Sequence, residues 1–157
     1  MRRKDREVTD LKEIEAILEE AKILHLGLND GECPYVVPLQ YGYEFEEGQL
    51  TLWMHCAKEG YKLDLIRKDP HVCAEIDCRV QAVSGGDIPC KYGSLFVSVI
   101  GRGTAEVVGD EGEKIKGLKC LMKHQTGRDF EFSPEMAAGV EVIRVRIAEL
   151  SAKARTV

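Results

Sequence analysis

The sequence predicts a mainly β (α+β) domain, an antiparallel sheet of about six strands curled into a small barrel with helices on its flanks. Three observations carry that prediction. Five or six segments alternate apolar and polar residues, the helical segments between them are short, and one strand-like run from Tyr92 to Val108 is far longer than the rest. Gly101 and Gly103 interrupt that run, as a bulge or sharp coil does where a sheet curves strongly enough to close. With 157 residues and 44% apolar composition, residues 1–157 suffice for one domain with a core of its own.

The elements follow in order. Thr9 or Asp10 caps a first helix whose Leu11, Ile14, Ile17, Leu18 and Ala21 form one stripe, and Asp10 and Glu13 have capping-box spacing. Ile23–Leu28 and Tyr35–Tyr43 read as two strands of a hairpin, with a tight turn at Asn29-Asp30-Gly31. After a turn at Glu46-Glu47-Gly48, a strand ends at His55 and a short helix spans Lys58 to Lys68, stopped by Asp69-Pro70. Residues 72–77 give a fourth strand, and residues 80–91 carry loop chemistry in Ser84-Gly85-Gly86-Asp87 and Pro89. Beyond the long strand, Glu113–Gln125 is a helix with Ile115, Leu118, Leu121 and Met122 as its buried stripe and Gly127 as its C-terminal stop. Lys123 and His124 near its end complement the helix dipole. Ser133-Pro134-Glu135 opens a further helical turn, and Val140–Leu150 is the final strand.

Charge and cysteine usage exclude several classes. The formal net charge is −5, so the chain lacks the positive field of a nucleic-acid binder. No apolar run reaches the length of a membrane span, and the opening Met1-Arg2-Arg3-Lys4-Asp5-Arg6-Glu7 has no apolar signal segment behind it, so a cytoplasmic location is expected. Six cysteines at positions 33, 56, 73, 78, 90 and 120 show no two-residue metal spacing. Cys120 and His124 stand one helical turn apart, but Cys73 and Cys78 point to opposite faces of a strand and would not converge with them, so no metal site is expected.

The junction His55-Cys56-Ala57-Lys58-Glu59-Gly60-Tyr61-Lys62-Leu63-Asp64 carries the chemistry. It joins a strand to a helix start, where unpaired amides and a partial positive charge suit a phosphate, and Lys58 and Lys62 add charge from one helix face. Two solvated surface lysines are the plainer reading of the same spacing. Cys56 beside His55 does not make a nucleophile pair, because neighbouring strand residues face opposite ways. Trp53, Tyr61 and Tyr92 are candidates for cleft walls, although aromatic residues in strands more often serve the core.

Taken with Tyr35-Val36-Val37-Pro38-Leu39-Gln40-Tyr41-Gly42-Tyr43 and Ser98-Val99-Ile100-Gly101-Arg102-Gly103, this junction resembles the pyridoxamine 5′-phosphate oxidase-related flavoproteins, and within them the nitroimidazole-resistance branch. The resemblance runs in order over nearly the whole chain. It implies an FMN-binding split β-barrel that works as a homodimer with flavin sites between subunits. By position it implies that Lys62 binds the phosphate with Lys58 and Ala57 as helpers, and that Val37, Pro38 and Leu39 run along the ring. It also implies that Ser98 and Val99 approach the flavin, with the partner subunit as one source, and that His55 serves the flavin or substrate. Phe96 stands where the family more usually has tyrosine, which removes a phenol. The expected activity is an FMN-dependent oxidoreductase acting on a small substrate such as a nitroaromatic, with His55 as proton donor because imidazole is the side-chain class that gives up protons at neutral pH. The alternative is a non-catalytic flavin- or heme-binding, redox-sensing protein. Pyridoxamine phosphate oxidation itself is disfavoured, since no second basic cluster awaits a substrate phosphate.

Overall fold

The chain's architecture follows from two long strands that must curve together. In a computed structural model, which describes residues 3–156, the elements are β1 (Glu7–Val8), α1 (Leu11–Glu20), β2 (Ile23–Leu28), β3 (Tyr35–Gln40), β4 (Gly42–Glu46), β5 (Gln49–Cys56), α2 (Tyr61–Lys68), β6 (His71–Val83), β7 (Gly93–Val107), α3 (Glu111–Thr126), α4 (Pro134–Ala138) and β8 (Glu141–Arg155). Met1 and Arg2, at the head of the charged opening segment, and Val157 lie outside the described residues. Every strand pairing is antiparallel, in the order β3-β2-β6-β7-β8-β5-β4, with β1 added to the end of β8. The fold class is therefore the expected one. The sheet has eight strands rather than about six, because β1 is too short to read from sequence and the expected Tyr35–Tyr43 strand breaks into β3 and β4 at Tyr41.

That break closes the barrel. β3 and β4 are the two ends of the sheet path yet are joined by Tyr41 alone, so the sheet turns back on itself and β3 approaches β5 across a seam that is not a ladder. Tyr41 is wholly buried at the corner, where its hydroxyl donates to the Leu18 carbonyl at 2.7 Å. Curvature on the far side comes from β7 and β8. Their register passes from Arg102 opposite Glu149 to Gly103 opposite Ile147, leaving Ala148 as the extra residue of a bulge. The glycine signal in β7 thus marks a bulge in its partner strand. A side chain at Gly103 would overlap the Arg146 main chain, and one at Gly101 would lie 2.9 Å from Ile147.

Leu24, Leu26 and Leu28 of β2, Leu52 and Met54 of β5, Val97 and Val99 of β7, and Ile143 and Val145 of β8 fill the interior. Ile14, Ile17 and Leu18 of α1 and Leu63, Leu65 and Ile66 of α2 join the same core, while Leu11 stays exposed. A second, smaller core lies outside the barrel, where α3 and α4 cover Trp53 and Val142. The buried face of α3 is Gly117, Leu118, Leu121 and His124, rotated from the expected stripe. Gly117 sets that rotation, because a Cβ there would lie 2.5 Å from Trp53 Cε3. His124 is correspondingly only 5% exposed, and its ring nitrogens face the carbonyls of Tyr41 (2.6 Å) and Glu19 (3.2 Å) instead of solvent near the helix end.

β6 runs six residues past its expected end. It passes a register shift between Cys78 and Gln81, with Arg79 in a left-handed conformation (φ 56°), and the connecting loop shrinks to residues 84–92. No helix among the described residues is long and apolar enough to cross a membrane.

Candidate functional site

The start of α2 differs from the other three α-helix starts. Asp10 accepts from the Lys12 amide (3.0 Å) to cap α1, Asp110 from the Glu113 amide (2.9 Å) to cap α3, and Ser133 from the Met136 amide (3.3 Å) to cap α4. Gly60 precedes α2 and has no side chain to offer. Its φ of 152° and ψ of 152° fall in a region that suits glycine alone. The first amides of this helix with a main-chain partner are those of Leu63 and Asp64, both on the Gly60 carbonyl. The amides of Tyr61 and Lys62 are therefore open to a ligand, as the first turn of a helix leaves them unless something caps it.

Helix α2 begins at Tyr61, three residues later than the apolar spacing suggested. Lys58 consequently lies in the connection before the helix, so it and Lys62 do not share a helix face. Lys62 is half-buried and Lys58 exposed, and neither forms an ion pair among the described residues.

A tyrosine ties this helix start to the seam of the barrel. The Tyr61 hydroxyl donates to Asp30 Oδ1 at 2.6 Å, a bond that also raises the Tyr61 phenol's pKa. Its ring meets Tyr35 edge-on at 5.4 Å, at the first residue of β3. Val37 and Leu39 turn half-buried side chains toward the core, whereas Pro38 is exposed. β3 ends the sheet path, so its outer edge keeps main-chain donors and acceptors free, and a proline is tolerated there. His55 is exposed near the end of β5 and Ala57 follows in the connection, while Cys56 is buried behind them. Burial pushes the Cys56 thiol's pKa up, the opposite of what a nucleophile needs.

Ser98 and Val99 stand elsewhere. Ser98 lies opposite Lys153 on β8, and His55 lies opposite Val142 on the same strand, eleven residues away. At about 3.3 Å per residue that is roughly 35 Å along the strand. Ser98 of one chain thus belongs to the other end of the barrel from the α2 start. Val99 is 1% exposed and points into the interior, so its main chain alone is available to a ligand.

Seven of the nine residues singled out from the sequence, Val37, Pro38, Leu39, His55, Ala57, Lys58 and Lys62, therefore fall around one seam and one helix start. Open amides, two unpaired lysines and an apolar strand with a free edge fit a phosphate monoester that carries a flat aromatic ring system. A cavity of about 580 Å³ lies on the outer face of the sheet over the bulge, among Gly27, Cys73, Arg102, Gly103, Ala148 and Glu149, and includes none of the nine. Trp53 is core, with no surface at the site. Tyr92 bonds the Gly86 carbonyl within its own loop at 3.1 Å. Asp30 and Tyr35 are the neighbours that sequence reasoning missed, because nothing in their spacing signals a contact with Tyr61.

Comparison with known proteins bears on the family and the fold. A family profile described as pyridoxamine 5′-phosphate oxidase matches residues 10–154. A crystal structure of a candidate 5-nitroimidazole antibiotic resistance protein from Bacteroides thetaiotaomicron is 30% identical. Its TM-score is 0.80, over 94% of this chain and 86% of that one. The flavocytochrome Anf3 of Azotobacter vinelandii superposes with a TM-score of 0.79 at 21% identity, covering 100% of this chain and 72% of its own. An FAD and heme binding protein of Mycobacterium smegmatis gives 0.80 at 15% identity, covering 97% and 74%. At those two identities the likeness shows the fold alone. No curated protein matches the chain.

Proposed function

The chain belongs to the pyridoxamine 5′-phosphate oxidase family, and from that premise we propose that it is a cytoplasmic FMN-dependent oxidoreductase. It works as a homodimer and passes electrons between the flavin and a small planar substrate. The observation that carries this reading is the uncapped start of α2, with two unpaired lysines beside it and the free edge of β3 within reach through the Tyr61–Tyr35 contact. Tyr61 and Lys62 amides and the Lys58 and Lys62 ammonium groups bind the phosphate. The main chain of Val37, Pro38 and Leu39 lies along the ring, and Ala57 lines the phosphate side. FMN supplies the electron-transfer chemistry when bound. The residues of the chain orient it, shield one face from water and manage protons.

His55 gives a proton to the substrate, because reduction of a nitro or carbonyl group consumes protons and this imidazole is exposed beside the seam. Ser98, with the main chain of Val99, comes from the second subunit. The roughly 35 Å of β8 between the Ser98 and His55 partners supports that assignment, since one chain keeps the two groups at opposite ends. The Bacteroides relative makes a nitroimidazole the first acceptor to try.

Two substitutions test the roles. Lys62→Ala weakens FMN binding about 10–100-fold, the effect of losing one charge-assisted contact to phosphate, and leaves the melting temperature of the flavin-free protein unchanged. Fluorescence titration of FMN reads this directly, and parental affinity would remove the phosphate assignment. His55→Ala retains FMN but slows nitroimidazole-driven reoxidation of the reduced protein at least about tenfold. Reoxidation no faster than that of free FMN in the parent protein would favour a flavin- or heme-binding module over a catalyst.

A further inference from the structure

On the outer face of the sheet, β2 and β6 bring an imidazole and two carboxylates together. His25 lies directly opposite Glu75 in the ladder, and Asp77 follows two residues along β6, on the same face. We propose that His25, Glu75 and Asp77 form a binding site for one divalent first-row transition metal ion of the zinc class. One ligand atom from each lies within 4.8 Å of the other two. His25 Nδ1 is 3.4 Å from Glu75 Oε2, long for a hydrogen bond. Two ligands of a tetrahedral ion with bonds of about 2.0–2.2 Å stand roughly 3.4 Å apart.

Charge supports the same conclusion independently. Neither Glu75 nor Asp77 pairs with a lysine or arginine among the described residues. Arg79, next along this strand, is held by Glu20 at 2.7 Å. Lys153, beyond Ser98 in the register, lies over the Phe96 ring at 5.4 Å. Two carboxylates with no side-chain cation but a histidine between β2 and β6 make a site where a doubly charged ion relieves repulsion.

The frame is already rigid. β2 sits between β3 and β6, and β6 between β2 and β7, so ladders on both sides fix all three Cα positions. Water is available for the remaining positions. One nitrogen and two oxygen ligands favour zinc, cobalt, iron or manganese over calcium and magnesium. None of the three ligands is among the nine residues assigned to the flavin, although Asp77 lies opposite Ser98 in the ladder, so the metal is titrated with and without FMN.

The test is titration of chelator-treated protein with Zn²⁺ and, for spectra, Co²⁺, with and without FMN. One equivalent binds per chain in both cases. Co²⁺ gives weak visible d–d bands and no ultraviolet thiolate charge-transfer band. His25→Gln, Glu75→Gln and Asp77→Asn each weaken binding about tenfold or more. His71→Gln, which touches the separate Asp69 pair, leaves binding unchanged. These side chains are at the surface, so circular dichroism and melting of the variants stay parental. Absence of a stoichiometric equivalent overturns the proposal. So does a thiolate band, which would move the ion to a cysteine such as Cys73 on the same face, or parental affinity in His25→Gln.

Discussion

Around Trp53 nearly every polar group has a partner in the chain, whereas around Lys62 few do. The Trp53 indole donates to Glu44 at 2.9 Å, and Arg144 and Lys116 lie over its ring at 5.3 and 5.6 Å. Arg144 is itself held by Glu106 and Glu113, and Lys114 bonds both Glu141 (3.3 Å) and the Val140 carbonyl (2.9 Å). α3 is capped by Asp110 and stopped by Gly127 at φ 71°. The α2 start has an uncapped glycine entry, two unpaired lysines and an exposed histidine. Folding alone accounts for the first region. The second contains groups that contribute little to folding, as the proposed phosphate site requires.

The sharpest way to break this contrast is Trp53→Ala. Removing a wholly buried indole from the α3 core costs about 3–5 kcal/mol of stability, read from the denaturant midpoint. FMN affinity of the folded protein stays within about twofold of parental, because Trp53 packs with Val108, Leu118, Ala137 and Val142 in the α3 core. If Trp53→Ala lost flavin as strongly as Lys62→Ala, the two regions would be one cooperative site.

A smaller effect separates them by pH. Burial pushes the Cys120 thiol up to about 11, from an ordinary value of 9.0. Between those values the unfolded chain gives up a proton that the folded chain keeps. Stability conferred by this thiol is therefore complete below pH 9 and falls as pH rises toward 11, by about 2 kcal/mol after allowance for partial exposure. Burial likewise pushes the Tyr41 and Tyr43 phenols up, which extends the same loss to higher pH. Melting temperatures of Cys120→Ala against pH should fall less steeply between 9 and 11 than those of the parent. An unchanged slope would mean that the thiol is not held protonated by the fold.

The contrast also explains what the sequence could reveal. Period-two runs located the strands themselves, since an alternation such as Ile143, Val145 and Ile147, all buried in the structure, is visible residue by residue. The α2 start was legible in composition but not in geometry. Nothing in Lys58-Glu59-Gly60-Tyr61-Lys62 tells whether the helix begins before or after its glycine, and that decision moved Lys58 off the helix. The bulge was misplaced for a related reason: a glycine reports that another chain comes close, and here the irregular chain is β8 at Ala148. His124 looked like a solvated helix end because its burial depends on Tyr41 and Glu19, which are distant in sequence. The pairs of Arg144 with Glu106 and Glu113 in the α3 region likewise span more than thirty residues, so single residues carried little sign of them.

Gly60 gives the smallest effect on stability and the most direct test of the open region. A Cβ at this position would meet nothing within 4 Å, so Gly60→Ala changes no packing, and its penalty comes from the backbone conformation alone. Because Gly60 is exposed, that penalty stays near the low end of such cases, about 1 kcal/mol. Relieving it moves the Tyr61 and Lys62 amides away from their present direction, and FMN affinity falls about tenfold while both lysines remain. Lys62→Ala and Gly60→Ala then weaken flavin binding by different routes, the first with a loss of salt dependence and the second without. Equal salt dependence in both variants would reduce the α2 start to its charge, and parental affinity in Gly60→Ala would remove the main chain from the anchor altogether.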